Sequence, residues 1–155
     1  MYLLEINNYL EEKIMQTAEQ LVSKKNKKIL TIKEDTTILD AIKAMNEKHV
    51  GSVFIERDGK IIGVWTERDL MKNTVMEGFD PATAIISDFM ITNLISVPHD
   101  SNTFQLMDVF LGKRIRHLLI EKKGEYIGLI SPGDIMKAYI SEKDHELRDL
   151  NAMVS

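Results

Sequence analysis

Two short segments, Gly63–Asp69 and Gly128–Asp134, carry the same potentially ligand-binding side chains in the same order. Each has a glycine, two apolar residues, a hydroxyl residue, two variable residues and an aspartate, and the second copy lies 65 residues after the first (63 to 128). The pattern predicts a strand that ends at the hydroxyl residue and a helix that begins there. That end of a helix presents unpaired backbone N–H groups and favours anions such as phosphate.

The two aspartates, Asp69 and Asp134, follow the hydroxyl residues Thr66 and Ser131 by three positions. A carboxylate one turn into the helix can accept hydrogen bonds from both hydroxyls of a ribose. An alternative is a capping box, in which each aspartate only stabilises the start of its own helix. The duplication of the motif in register favours a nucleotide site over capping alone.

The residues around each motif predict one repeated unit of strand, helix, hairpin and helix. In the first copy we predict a strand over 28–32, an N-cap at Asp35 or Thr36, a middle strand over 50–55 and a hairpin turn at Asp58-Gly59. In the second copy the corresponding predictions are a strand over 94–97, an N-cap at Asp100 or Ser101, a middle strand over 115–120 and a turn at Lys123-Gly124. Each copy is too short to bury a good core alone, so the two should pack face to face.

The chain ends carry helical patterns of their own. Apolar residues spaced by three and four predict a helix over 2–22 that packs on its own domain or on a second subunit. A membrane-surface helix is disfavoured because the polar face is not rich in Lys or Arg. The lysines at 24, 25, 27 and 28 predict a solvated hinge, with phosphate contacts as the alternative. We expect the domains 1–26 (helix and hinge), 27–78 (first repeat), 79–143 (linker and second repeat) and 144–155, a helical tail whose apolar seam could bind a second subunit.

Over residues 27–142 the chain resembles a pair of cystathionine-β-synthase (CBS) domains, the tandem called a Bateman module. The resemblance rests on the two motifs, on Thr66-Glu67-Arg68-Asp69 and on Arg116-His117-Leu118-Leu119-Ile120, in which Leu119 stands where the family commonly has proline. It implies an α+β fold of two β-α-β-β-α repeats packed with pseudo-twofold symmetry, with extra N- and C-terminal helices. It also implies a homodimer that forms through the CBS repeats, and a regulated partner protein.

The resemblance further implies two clefts between the repeats that bind adenosine nucleotides such as AMP, ADP, ATP or NAD. One cleft would combine Ser131 and Asp134 with Thr31, Thr36, Val50 and Gly51. The other would combine Thr66, Arg68 and Asp69 with Ser96, Ser101 and Ile115, and Arg116 and His117 match family positions that contact phosphate. Gly51-Ser52 occupies the place of Arg116-His117, and Gly133 occupies that of Arg68. We therefore expect two clefts of unequal affinity.

Composition restricts the function classes. The 155 residues carry a net charge of −4, so no global basic field draws in nucleic acid, and binding by the lysine run is disfavoured. There is no cysteine, the four histidines lack metal-ligand spacing, and no apolar run approaches the roughly 20 residues needed to cross a bilayer. No catalytic set is readable, and Trp65 is expected in the core rather than against adenine. We predict a cytoplasmic nucleotide sensor without a catalytic cofactor, not an enzyme; the alternative is a ligand-independent dimeric scaffold.

Overall fold

A computed structural model describes residues 3–5, 15–25 and 29–155 of the chain. They form two compact units: residues 27–94 make the first unit, and residues 95–155 make the second unit together with the N-terminal segment up to residue 26. Each unit therefore contains one repeat and the segment that precedes the other repeat in the sequence. Residues 79–94, which the sequence analysis grouped with the second repeat, belong to the first unit.

The elements of each unit follow the predicted order of strand, helix, hairpin and helix. In chain order they are α1 (Ala18–Lys24), β1 (Thr31–Lys33), α2 (Ile38–Lys48), β2 (Ser52–Arg57), β3 (Lys60–Thr66), α3 (Glu67–Asn73), a 3-10 turn (Ile86–Asp88), β4 (Ser96–Pro98), α4 (Thr103–Lys113), β5 (Leu118–Lys122), β6 (Glu125–Ile130) and α5 (Pro132–Val154). Residues 3–5 are also helical. The predicted α+β class is confirmed.

Each unit is built on a three-stranded mixed sheet. The strand orders are β1-β2-β3 and β4-β5-β6, with a parallel first pair and an antiparallel second pair in each sheet. The register of the antiparallel pair shifts between Ile55 and Glu56 in the first sheet and between Ile120 and Glu121 in the second. These irregularities lie 65 residues apart, so the repeat extends to the defects of the sheets as well as to their regular parts.

Two backbone features with positive φ recur at the same offset. The hairpin turns have φ values of 51° and 76° at Asp58 and Gly59, and of 51° and 79° at Lys123 and Gly124. Two consecutive positive values suit the right-handed twist of the flanking strands, and glycine adopts them without strain. The second feature was not predicted: α2 and α4 both end in a left-handed residue that is not glycine, His49 (φ 55°) and Arg114 (φ 50°).

A separate apolar core lies in each unit. Trp65 is fully buried in the first core, and its Nε1 donates to Asn73 Oδ1 at 3.0 Å. The predicted core position of Trp65 is therefore confirmed. In the second core, Ala18 and Leu21 of α1 pack with buried residues of the second repeat.

The helix predicted at the N-terminus is not continuous. Residues 15 and 16 are not helical, and Thr17 caps α1 through a capping box with Gln20, so the helix predicted over 2–22 is interrupted there. The N–H groups of Ala18 and Glu19 donate to the carbonyls of Ser101 and His99, at 2.8 and 2.9 Å. These bonds tie the start of α1 to the second repeat. Residues 6–14 lie outside the described part of the chain.

The N-caps of α2 and α4 also fall later than predicted. Thr37 and Asn102 are the caps, rather than Asp35 or Thr36 and Asp100 or Ser101. The reason is a turn after each opening strand: Thr36 N donates to Lys33 O and Ser101 N donates to Pro98 O, both at 3.1 Å. Because residues 36 and 101 close these turns, each helix begins after them.

Candidate nucleotide site

The first motif forms a corner at which β3 ends and α3 begins. Thr66 is 4% exposed and is the N-cap of α3. Its Oγ1 donates to Asp69 Oδ2 at 2.8 Å, and its backbone N–H donates to the same oxygen at 3.0 Å. The hydroxyl and the carboxylate are therefore fixed side by side at the positively polarised end of a helix.

The second motif forms the same corner between β6 and α5. Ser131 is the N-cap, Pro132 is the first helical residue, and Ser131 N donates to Asp134 Oδ2 at 2.9 Å. Asp134 N in turn donates to Ser131 Oγ at 3.3 Å. The capping box that the sequence left as an alternative is thus present at both motifs. It does not exclude a ligand, because a carboxylate has about four acceptor positions on its two oxygens.

The motif glycines are required by close packing. A Cβ at Gly63 would lie 2.3 Å from Met90 Sδ, and a Cβ at Gly128 would lie 2.3 Å from Val22 Cγ1. Such distances leave no room for any other residue without movement of the neighbour. Met90 comes from the segment before the second repeat, and Val22 comes from the segment before the first repeat. Each motif strand is therefore covered by the segment that precedes the other repeat.

The two motifs differ in their charge environment. Lys25 Nζ donates to Asp134 Oδ2 at 2.8 Å and to the carbonyl oxygen of Leu129 at 3.0 Å. Burial opposes ionisation of Asp134, but the hydrogen bonds from Lys25 and from Ser131 prevail, so the pKa of Asp134 falls below its ordinary value of 3.8. Among the described residues, Asp69 has no ion-pair partner. Lys25 is thus paired with the second motif, a contact that the predicted solvated hinge did not include, and Lys27 and Lys28 lie outside the described residues.

The sequence profile of the CBS domain matches this chain twice, over residues 19–75 and 86–141. The chain belongs to the CBS-domain family. The two matched segments contain the two corners, and each match also includes part of the segment that precedes its repeat.

Relatives and solved structures support the same assignment. The chain is 30% identical over 125 residues to the mitochondrial CBS domain-containing protein CBSX3 of Arabidopsis thaliana, a match that covers 77% of this chain and 61% of that relative. It thus spans less than two thirds of that relative's length. A crystal structure of a CBS-domain protein from Agrobacterium tumefaciens has a TM-score of 0.69 and 32% identity, with coverage of 80% of this chain and 99% of that one. For a signal-transduction protein with CBS domains from Burkholderia ambifaria, the TM-score is 0.71, the identity 29% and the coverage 81% and 95%.

In the first CBS unit, several of the predicted binding residues lie near the motif. Thr31 pairs with Phe54, and Phe54 pairs with Val64, so Thr31 lies two strands from the motif strand. Val50 and Gly51 line a hollow of about 400 Å³ together with Glu67, the first residue of α3. Thr36 is half-buried beside the start of α2, and Arg68 is exposed in the first turn of α3.

In the second CBS unit, the predicted binding residues lie in three separate places. Ser96 pairs with Leu119, and Leu119 pairs with Leu129, so Ser96 lies two strands from the second motif. Ser101 is buried and lines a separate hollow of about 450 Å³ beside the exposed ring of Phe104. Ile115, Arg116 and His117 lie in the stretch between α4 and β5, where Arg116 is exposed. The grouping of residues from both repeats into two clefts stays a prediction.

The position of Lys25 at this site was not predicted individually, because the sequence indicated only a role for the whole lysine run. The lysine run signalled a possible phosphate contact, but nothing in the sequence paired Lys25 with a carboxylate 109 positions away. The described part of the chain holds no cluster of three or more His, Asp or Glu side chains that could hold a metal ion. No helix in the described ranges is long and apolar enough to cross a membrane.

Proposed function

We propose that this CBS-domain pair is a regulatory module that binds an adenosine nucleotide of the AMP, ADP, ATP or NAD class. CBS pairs generally act as regulatory nucleotide-binding modules, and this chain keeps both carboxylate corners. The observation that carries the proposal is the recurrence of one geometry at Asp69 and Asp134, each one turn inside a helix that begins at a buried or half-buried hydroxyl residue.

The chemistry of the corner suits a nucleotide. The aspartate supplies acceptors for the ribose hydroxyls, and the positive end of the helix dipole favours a phosphate nearby. Arg68 adds a cation in the first turn of α3, whereas Gly133 takes the equivalent position in α5. Arg116 and His117 are assigned to phosphate by the family resemblance. A nucleotide of this class suits both kinds of group, because its ribose hydroxyls donate hydrogen bonds to the aspartate and its phosphate accepts hydrogen bonds from the cationic side chains.

The response to the nucleotide would be a shift of population. A ligand that binds one arrangement of the chain more tightly than another favours that arrangement. The regulated partner would then read the change. We propose no enzymatic activity and no catalytic cofactor, although one relative is an inosine-5′-monophosphate dehydrogenase of Thermoplasma acidophilum, which matches over 21% of its own length. The cytoplasmic location and the lack of nucleic-acid binding stay predictions.

The first experiment is a titration of the purified chain with AMP, ADP, ATP and NAD, followed by calorimetry and by thermal melting. We expect heat and an increase of the melting temperature with at least one of the four. Absence of both signals at millimolar concentrations of all four would contradict the proposal. The side chain of Asp144 is exposed on α5, so the variant Asp144→Asn serves as a control for the loss of one negative charge.

A second candidate function is a ligand-independent dimeric scaffold, and one observation favours the dimer. The helix α5 exposes a run of large apolar side chains: Met136, Tyr139, Ile140, Leu147, Leu150 and Met153. These positions recur at intervals of three, four and seven residues, which keeps them on one side of the helix. We propose that a second copy of the chain covers this seam. A dimer whose mass and stability do not respond to nucleotide would favour the scaffold.

A further inference from the structure

We propose that Lys25 is a built-in competitor for Asp134, so that a ribose whose two hydroxyls bind the two carboxylate oxygens must displace the lysine ammonium group from Oδ2. The inference rests on the proposed function, because it concerns a carboxylate that we assign to ribose. The second motif would then bind ribose weakly because a side chain of the same protein occupies the carboxylate, and not because a binding residue is missing.

The contacts of Lys25 place its charge at the strand–helix junction. Nζ donates to Asp134 Oδ2 at 2.8 Å on the helix side and to Leu129 O at 3.0 Å on the strand side. The side chains of Lys25 and Asp134 are 37% and 23% exposed. A ligand can therefore reach the pair from solvent, and Oδ2 already accepts two hydrogen bonds, from Lys25 and from Ser131.

Lys25 follows directly after α1, and this helix is held to the second repeat by packing and by hydrogen bonds. Ala18 and Leu21 are part of the core, and Val22 covers Gly128. Glu19 accepts hydrogen bonds from Lys122 and from Nδ1 of His99. Because the backbone of α1 is held in this way, displacement requires movement only of the Lys25 side chain, which is long and can turn into water.

Among the described residues, no cation takes the equivalent position at the first motif. Met90 covers Gly63 as Val22 covers Gly128. Lys25 stands three residues after Val22, and the residue three positions after Met90 is the uncharged Asn93. The second hydrogen bond to Asp69 Oδ2 comes from the neutral hydroxyl of Thr66, and a bond from a neutral donor is weaker than one from an ammonium group. Ribose therefore meets a competitor at Asp134 and none of this kind at Asp69. This difference is a further reason to expect that the two motifs bind ribose with unequal affinities.

The test isolates the second motif and uses one neutral and one anionic probe. Adenosine and AMP are titrated by calorimetry into the Asp69→Asn variant, in which Asp134 is the only intact motif carboxylate, and into the same variant with Lys25→Met added. The matched control adds Lys24→Met instead, since Lys24 carries the same charge one residue away and donates to Gln16. Circular dichroism melting verifies that each variant is folded, and Lys25→Gln replaces Lys25→Met if the latter is not.

Competition predicts that Lys25→Met strengthens the binding of both adenosine and AMP by about two- to five-fold, the range expected for a partly exposed ion pair. Lys24→Met should leave adenosine binding unchanged. Equal affinities with and without Lys25 would overturn the inference. So would weaker AMP binding with unchanged adenosine binding, because Lys25 would then be a phosphate contact. If neither probe binds the wild-type chain or any variant, the proposed function itself fails, and the inference fails with it.

Discussion

Val22 and Gly128 are in such close contact that Val22 Cγ1 lies 2.3 Å from the position that a Cβ would take at residue 128. Val22 lies on α1, which is part of the second unit although it precedes the first repeat in the sequence. Gly63 and Met90 have the same relationship in the first unit. The glycine that opens each motif therefore allows a neighbouring segment to pack against the motif strand.

This packing predicts the cost of adding one methyl group. We expect Gly128→Ala to destabilise the protein by roughly 1–3 kcal/mol, because an overpacked core must displace its neighbours. Gly63→Ala should cost less, because Met90 is more flexible than a β-branched valine. Urea unfolding of the wild type and of the two variants gives their free energies of unfolding. The control is Gly112→Ala, within α4, where an added Cβ meets no atom within 4 Å.

The control has a predicted sign of its own. Alanine is favoured over glycine inside a helix, so Gly112→Ala should stabilise the protein by up to about 1 kcal/mol. An equal loss of stability in all three alanine variants would contradict the packing explanation.

The capping box at the first motif can be tested separately from ligand binding. Thr66→Ala removes the hydroxyl that accepts a hydrogen bond from Asp69 N, and we expect a loss of about 0.5–2 kcal/mol in the free energy of unfolding. Thr66→Ser keeps the hydroxyl and is the matched control. If both variants lose the same stability, the buried methyl group of Thr66 matters and its cap does not.

The contact between Glu19 and its two partners predicts a pH dependence. Hydrogen bonds from Lys122 and then from His99 lower the pKa of Glu19 from its ordinary value of 4.5. Because the pKa is lower in the folded state, Glu19 stabilises the fold above its unfolded pKa, and this contribution is lost as the pH falls through the folded pKa. Glu19→Gln should therefore be less stable than wild type at pH 7, and the difference should shrink below about pH 4.5.

Urea unfolding between pH 7 and pH 3 measures this difference. The exposed side chain of Glu47 offers a control, Glu47→Gln, for loss of a surface carboxylate. A difference between Glu19→Gln and wild type that stays constant over the whole range would show that the carboxylate charge of Glu19 has no stabilising role.

The apolar seam of α5 predicts how the proposed dimer can be broken. Leu147→Glu places a charge among side chains that we assign to the interface, and we expect the dimer to weaken by about tenfold or more. Light scattering over a concentration series measures the mass. Lys137→Glu changes the charge of an exposed residue of the same helix and serves as the control. A wild-type chain that is monomeric at all concentrations would rule out the dimer.

The sequence predicted those features that depend on neighbouring residues. The hairpin glycines Gly59 and Gly124, the N-caps Thr66 and Ser131 and the order of elements follow from local propensities repeated at one offset. The caps of α2 and α4 were placed too early because a turn after each opening strand moves the helix start to Thr37 and Asn102.

Features that depend on distant parts of the chain could not be predicted in this way. No local pattern indicates that α1 packs with the second repeat, that Val22 covers Gly128, or that Lys25 pairs with Asp134. A capping box and a ribose-binding carboxylate also share the same short pattern, and the structure contains the capping box at both motifs. The geometry of the motifs is therefore consistent with both roles, and binding measurements distinguish them.

We propose that Asp69 and Asp134 bind the ribose of an adenosine nucleotide. The decisive measurement of this claim is a calorimetric titration of AMP into the wild-type chain and into the double variant Asp69→Asn, Asp134→Asn, with Asp144→Asn as the control and with melting curves to confirm the fold. The claim predicts binding to the wild type and to the control, and a loss of affinity of at least about tenfold in the folded double variant, as expected when a charge-assisted bidentate contact is removed. An unchanged affinity in the double variant would contradict it.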